Sequence, residues 1–168
     1  MAKQNQKKQT RKNRNLPLIL AAALVVLLAA GISLLNRPKP AAVEGSGALV
    51  IPLSGITEEA SFYPVTVDGT EMEVLAIRTA DGDVRTAFNT CQSCYTSGHG
   101  YYVAQGTELI CQNCGFHFTA EEVGLETGGG CNPWPIPAEG RTETGENIEI
   151  SYETLVGAKD IFARWSKG

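Results

Sequence analysis

Residues 89–118 read NTCQSCYTSGHGYYVAQGTELICQNCGFHF. Two C-x-x-C pairs, Cys91-Gln-Ser-Cys94 and Cys111-Gln-Asn-Cys114, stand sixteen residues apart within this stretch. That spacing falls inside the window of a four-thiolate metal site. The physical reason is local. Two cysteines three apart on a tight knuckle point both sulfurs at one ion, and the amides of the knuckle hydrogen-bond to the thiolates and reduce their repulsion. Gly115, directly after the second pair, supplies the positive φ that such a knuckle needs. Between the pairs, residues 101–103 and 108–110 flank Gln105-Gly106, which reads as a hairpin turn. Two knuckles at the tips of adjacent hairpins complete a tetrahedron. Cys91, Cys94, Cys111 and Cys114 are therefore the expected metal ligands.

Working outward, the flanking segments are β-rich. Residues 48–53 form a short apolar strand, and residues 62–67 a second, with Pro64 placing it at an edge. Asp68-Gly69 is a strong hairpin turn. Residues 71–78 (EMEVLAIR) begin with polar and apolar positions alternating and then become apolar on both faces. Asp81-Gly82 marks another turn, and residues 84–89 the next strand. Phe116-His117-Phe118 and Ile148-Glu149-Ile150 alternate again, while residues 124–145 read as long and irregular. Leu155, Ala158, Ile161, Phe162 and Trp165 recur at helical spacing and predict a helix docked on the sheet. The expected fold is a small, mostly β, antiparallel domain of zinc-ribbon-like or Rieske-like hairpins with a short C-terminal helix.

The chain holds five cysteines, all between positions 91 and 131. Cys131 lies in Gly128-Gly-Gly-Cys131-Asn-Pro133, where three glycines allow close backbone approach and the prolines that follow fix the exit. It could be a fifth sulfur at the metal, a free redox thiol, or a buried cysteine in a loop crossing the core. His99 and His117, five residues after Cys94 and three after Cys114, are candidates for a substitute ligand or for tuning the site from outside it. Disulfides compete with a metal for the same thiols, because the expected compartment is oxidising.

That compartment follows from the N-terminal segment. The formal net charge of −4 hides an asymmetry. The first fifteen residues carry six basic side chains and no acid, leaving eight basic against eighteen acidic groups, a net −10, in the rest. An acidic body argues against nucleic-acid binding, which needs a basic face. Residues 16–35 are twenty uncharged, mostly apolar residues. At about 1.5 Å rise each they span about 30 Å, a bilayer core. A cleaved signal peptide has a shorter apolar run, so an uncleaved anchor is expected. The preceding positive charges keep the N-terminus cytoplasmic and put the body outside the cell membrane. Residues 36–47, with two prolines and Gly45-Ser46-Gly47, have a linker's composition, and residues 48–168 make up the folded, extracytoplasmic domain.

No Walker loop, H-E-x-x-H, serine elbow or dinucleotide fingerprint is present, so a stand-alone enzyme is not expected. The residue pattern leaves three classes open: an electron-transfer protein, a structural zinc module, and a thiol-redox or metal-delivery protein. In order along the chain, ADGDVRTAFNTCQSC (80–94), GHGYY (98–102), LICQNCGFHF (109–118) and GGCNP (129–133) resemble the membrane iron-sulfur FtrD-like family. The resemblance implies a membrane protein with an iron-sulfur or iron centre, where spacing alone would favour zinc. It also implies electron handling beside an iron-uptake system of a permease, a periplasmic iron-binding protein and a cupredoxin-like protein. With one expected span this chain is not itself the permease. A more distant similarity to Rieske-type domains departs at the ligands, since Cys94 and Cys114 stand where histidines would be expected.

Overall fold

The computed structural model describes residues 41–43, 47–125 and 130–167. Eleven strands run through these residues. They are β1 (Ala41–Val43), β2 (Ala48–Pro52), β3 (Ser61–Val67), β4 (Thr70–Arg78), β5 (Val84–Cys91), β6 (Tyr102–Gln105), β7 (Glu108–Cys111), β8 (His117–Phe118), β9 (Pro133–Pro135), β10 (Arg141–Glu143) and β11 (Asn147–Ser151). One short α-helix, α1 (Tyr152–Gly157), follows. The domain is mostly β, as the alternating segments predict. The expected membrane segment, residues 16–35, lies outside the described residues. Among the described residues no helix is long and apolar enough to cross a membrane.

The strands form three sheets. The central one has five strands in the order β1-β3-β4-β5-β9; β10-β11-β2 and β6-β7-β8 are three-stranded. Strand β4 explains why the molecule has two cores. Its Met72, Val74 and Ala76 pack into one cluster with Leu49, Ile51, Ile148, Ile150 and Leu155 of β2, β11 and α1. Its Leu75 and Ile77 face the other way, into a cluster with Tyr102, Leu109, Phe118 and Val123. Alternate residues of a strand point to opposite faces. An apolar run on both faces therefore requires cover on both sides. Fully burying one such Val, Leu or Ile contributes roughly 1.5–3 kcal/mol.

The β3–β4 turn is Asp68-Gly69, with φ of 46° and 79°, the left-handed pair of a type I′ hairpin. Strand β3 lies between β1 and β4, but β1 reaches only Val65 to Val67. Pro64, paired with Glu73 on the β4 side, therefore has no β1 partner on its other side. The ladder-breaking residue sits where no second ladder exists.

Three features depart from the sequence expectations. Within the segment read as linker, Ala41–Val43 forms β1 and pairs parallel with β3. The stretch read as irregular contains β9, β10 and a short 3₁₀ turn (Ala138–Gly140). Both strands have only three residues, and β9 is Pro-Trp-Pro, so no period is visible in the sequence. The C-terminal helix is split into α1 and a 3₁₀ turn, Lys159–Phe162. The apolar stripe still packs as predicted, with Leu155, Ala158 and Phe162 buried.

Candidate metal centre

Both C-x-x-C pairs have the same local construction. Cys91 is the last residue of β5, Cys111 the last of β7, and each strand breaks into a turn that carries the second cysteine. In the first knuckle the Cys94 amide donates to the Cys91 carbonyl at 3.2 Å, and the Cys91 amide to the Gly100 carbonyl at 2.7 Å. In the second, the Gly115 amide donates to the Cys111 carbonyl at 2.9 Å, and Gly115 has the expected positive φ, 73°. The knuckles are laced together by the Gln112 amide, which donates to the Tyr101 carbonyl at 2.8 Å.

The turns bring the thiols together. The Sγ atoms of Cys91, Cys94 and Cys131 all lie within 4.8 Å of one another, as do those of Cys94, Cys111 and Cys114. All five cysteines are free thiols. Cys91, Cys94 and Cys111 are buried, Cys131 is half-buried and Cys114 is exposed. Among the described residues no histidine or carboxylate joins either group. The His117 ring lies on the surface, with Nδ1 2.9 Å from Glu108 Oε2. The His99 amide donates to Ser97 Oγ in an exposed turn.

Cys131 is fastened by its own backbone neighbours. The hydroxyl of Tyr102 and the thiol of Cys91 both donate to its carbonyl. Ser93 Oγ donates to the Gly130 carbonyl at 2.6 Å, and the Gln92 amide to the Asn132 carbonyl at 3.1 Å. Three successive carbonyls of the loop are thus bonded to the first knuckle or to Tyr102 beside it. These bonds hold the loop where the Cys131 thiol lies beside those of Cys91 and Cys94.

The electrostatics follow from burial and from amides aimed at sulfur. Burial pushes the Cys94 thiol up, against a lowering hydrogen bond from the Asn113 side chain. Burial likewise raises Cys111, although the amides of Cys114 and Asn113 favour its thiolate. Burial, then the neighbouring Cys114 thiol, push Cys131 up to about 12. Cys114 moves the other way. Desolvation works upward there too, but the Phe116 amide and the thiols of Cys111, Cys131 and Cys94 outweigh it. A cation that displaces the thiol protons would enter a cluster already supplied with amide donors.

Sequence reasoning does not single out Tyr102, Asn89, Ser93 or Asn113. Tyr102 is fully buried, and its place at the inward-facing start of β6 is the one signal for it. Asn89 precedes the first knuckle by two residues. Its amide nitrogen donates to Glu73 Oε2 at 2.5 Å and to the Tyr102 carbonyl at 3.2 Å, and its oxygen accepts from the Tyr102 amide at 2.7 Å. It locks β5 to the hairpin that carries the second knuckle.

Fold and site together define a small β domain built around a five-thiol cluster. The chain belongs to the FtrD-like family of membrane iron-sulfur containing proteins, whose model matches residues 56–162. No curated protein and no solved structure matches the chain. The donor set fits the iron-related centre that the family name carries: it is all sulfur, the soft ligand of iron-sulfur centres, zinc and Cu(I).

Proposed function

We propose that this chain is a membrane-anchored, extracytoplasmic metal-centre protein that transfers electrons beside an iron-uptake system. Cys91, Cys94, Cys111 and Cys114 hold its iron-sulfur or iron centre, and a membrane permease with periplasmic redox or metal-binding proteins are its partners. The observation that carries this reading is the convergence of the two knuckles, whose thiols meet in a cluster with amide donors aimed at sulfur. An iron centre ligated only by cysteine supplies one-electron chemistry at a lower potential than a His-ligated Rieske centre. The chain's residues set the conditions. The amides of Asn113, Cys114 and Phe116 stabilise thiolate charge, and Tyr102 with the buried strand faces excludes water from Cys91. Cys114, exposed beside Phe116, which is 61% exposed, forms the edge at which a partner exchanges electrons.

The test is anaerobic purification of the full chain in detergent, followed by iron and acid-labile sulfide analysis and visible spectroscopy. Iron, with visible absorption that dithionite changes reversibly, is the expected result. Colourless protein holding zinc would replace this reading with a structural zinc module. Disulfides within 91–94 and 111–114 and no metal would replace it with thiol-redox chemistry.

A further inference from the structure

We propose that Cys114 and Cys131 are interchangeable fourth ligands of the single centre, with Cys91, Cys94 and Cys111 as the fixed three. The proposal rests on the reading of the cysteines as ligands and deepens it by giving the fifth thiol a task at the same centre.

Five thiols meet where the centre takes four, so one is always left over. Burial separates them. Cys91, Cys94 and Cys111 are buried, and Cys91 and Cys111 end strands β5 and β7. Cys114 stands on a turn in which every residue from Gln112 to His117 is exposed. A Cβ on Gly115, directly after it, would meet nothing within 4 Å. Little packs against this turn, so its thiol is the one of the four that solvent or a reagent reaches.

Cys131, half-buried, is placed to take over. Its Sγ lies within 4.8 Å of those of Cys91 and Cys94, as that of Cys114 does of those of Cys94 and Cys111. The thiols of Cys114 and Cys131 also hydrogen-bond to each other. Each therefore borders two of the fixed sulfurs and the other candidate. Among the described residues no histidine or carboxylate joins the cluster, which leaves Cys131 as the replacement within reach. Its backbone is anchored: the carbonyls of Gly130, Cys131 and Asn132 accept from Ser93 Oγ, the Tyr102 hydroxyl and the Gln92 amide. None of these three bonds uses a cysteine proton, so they persist when Cys91 is a thiolate. Exchange then needs a side-chain rotation at Cys131 and a swing of the exposed turn at Cys114, with every strand in place. The metal–sulfur bond of Cys114 breaks and that of Cys131 forms. The thiolate is the ligand form, so Cys131 gives up its proton and Cys114 gains one. The charge of the centre is unchanged and no electron moves.

The experiment uses the full chain in detergent, purified anaerobically, as wild type, Cys114→Ala, Cys131→Ala and the double variant. Alanine has no donor atom, so a replacement ligand must come from elsewhere in the chain. Metal content and visible absorption report loading, and circular dichroism reports folding. Iodoacetamide on the loaded protein, followed by mass spectrometry, reports which thiols are free. Cys114→Ala should retain its metal with a shifted visible spectrum, and its Cys131 should resist alkylation. Cys131→Ala should match the wild type in metal and spectrum, and the double variant should lose the metal. A folded but metal-free Cys114→Ala, or a loaded one whose Cys131 alkylates freely, would overturn the exchange and leave the four-cysteine centre standing. A double variant loaded as well as Cys114→Ala would overturn it too. Should Cys114→Ala fail to fold, the wild type decides. One alkylated thiol per chain, divided between Cys114 and Cys131 with metal retained, supports the exchange, and alkylation at Cys131 alone overturns it. Folded wild type without metal would overturn the metal-centre function together with this proposal.

Discussion

The hydroxyl of Tyr102 donates to the Cys131 carbonyl, and its ring packs edge-on against Phe118 at 5.7 Å. Burial holds the phenol protonated, raised further by its neighbour Cys91, so it acts as a donor across the accessible pH range. Tyr102→Phe keeps the ring and removes the donor, which leaves the Cys131 carbonyl only the weak thiol donor of Cys91. The expected loss is about 1–2 kcal/mol in chemical denaturation of the full chain. Metal content should stay close to that of the wild type, because none of Cys91, Cys94, Cys111 and Cys114 is removed. Asn89 is the more sensitive position. Its side chain holds both backbone groups of Tyr102 and the Glu73 carboxylate, which also meets Lys167 Nζ at 2.6 Å. Asn89→Ala would strand several buried polar groups at once, at an expected cost of about 2–4 kcal/mol in the same measurement. Asn89 could not be read from the sequence, and for Tyr102 only strand alternation pointed inward. An asparagine before a cysteine pair and one of two adjacent tyrosines carry no spacing of their own; their meaning comes from three strands meeting.

Among the elements, the first knuckle and the β3–β4 turn depend most on single residues. A Cβ on Gly100 would stand 2.7 Å from the Cys94 carbonyl carbon and 2.8 Å from its oxygen. These are backbone atoms of the knuckle, so something must shift. Gly100→Ala is expected to destabilise the domain by about 1–3 kcal/mol and to weaken metal binding at Cys94, read by cobalt titration beside the wild type. At the turn, Asp68 accepts from the Tyr152 hydroxyl at 2.9 Å and from Lys159 Nζ at 3.3 Å. These bonds tie α1 and the 3₁₀ turn after it to the hairpin. The Tyr152 hydrogen bond, then Lys159, hold the Asp68 carboxyl below its ordinary 3.8. A carboxyl lowered by folding adds stability that is fully present above its unfolded value and is lost as pH falls through the folded one. Asp68→Asn tolerates the left-handed backbone but cannot titrate. Its melting temperature should fall less steeply than that of the wild type between about pH 4 and about pH 2. Parallel curves would show that the ion pair adds nothing to the docking of α1.

At the scale of the whole molecule, periodicity made the central strands legible: residues 71–78 announce a strand covered on both faces, and two layers cover it. Cysteine spacing made the knuckles legible. The strands β1, β9 and β10 were not, because three residues have no period and depend on neighbours distant in sequence. The meeting of Cys131 with Cys91 and Cys94 spans forty residues, and only its glycines and prolines pointed to it. Family membership brings the membrane with it, and the orientation proposed for the chain rests on charge. Six basic side chains and no acid precede the apolar residues 16–35. Basic flanks are retained on the cytoplasmic side during insertion, and that is the basis for proposing that the acidic, cysteine-bearing domain lies outside. Protease added to intact spheroplasts should then degrade the domain and leave a membrane-bound N-terminal fragment. A domain protected until lysis would reverse the orientation, and a full-length domain released into the soluble fraction would show a cleaved leader in place of an anchor. Replacing the six basic residues by glutamine should increase the protected fraction, because the proposed orientation rests on that charge.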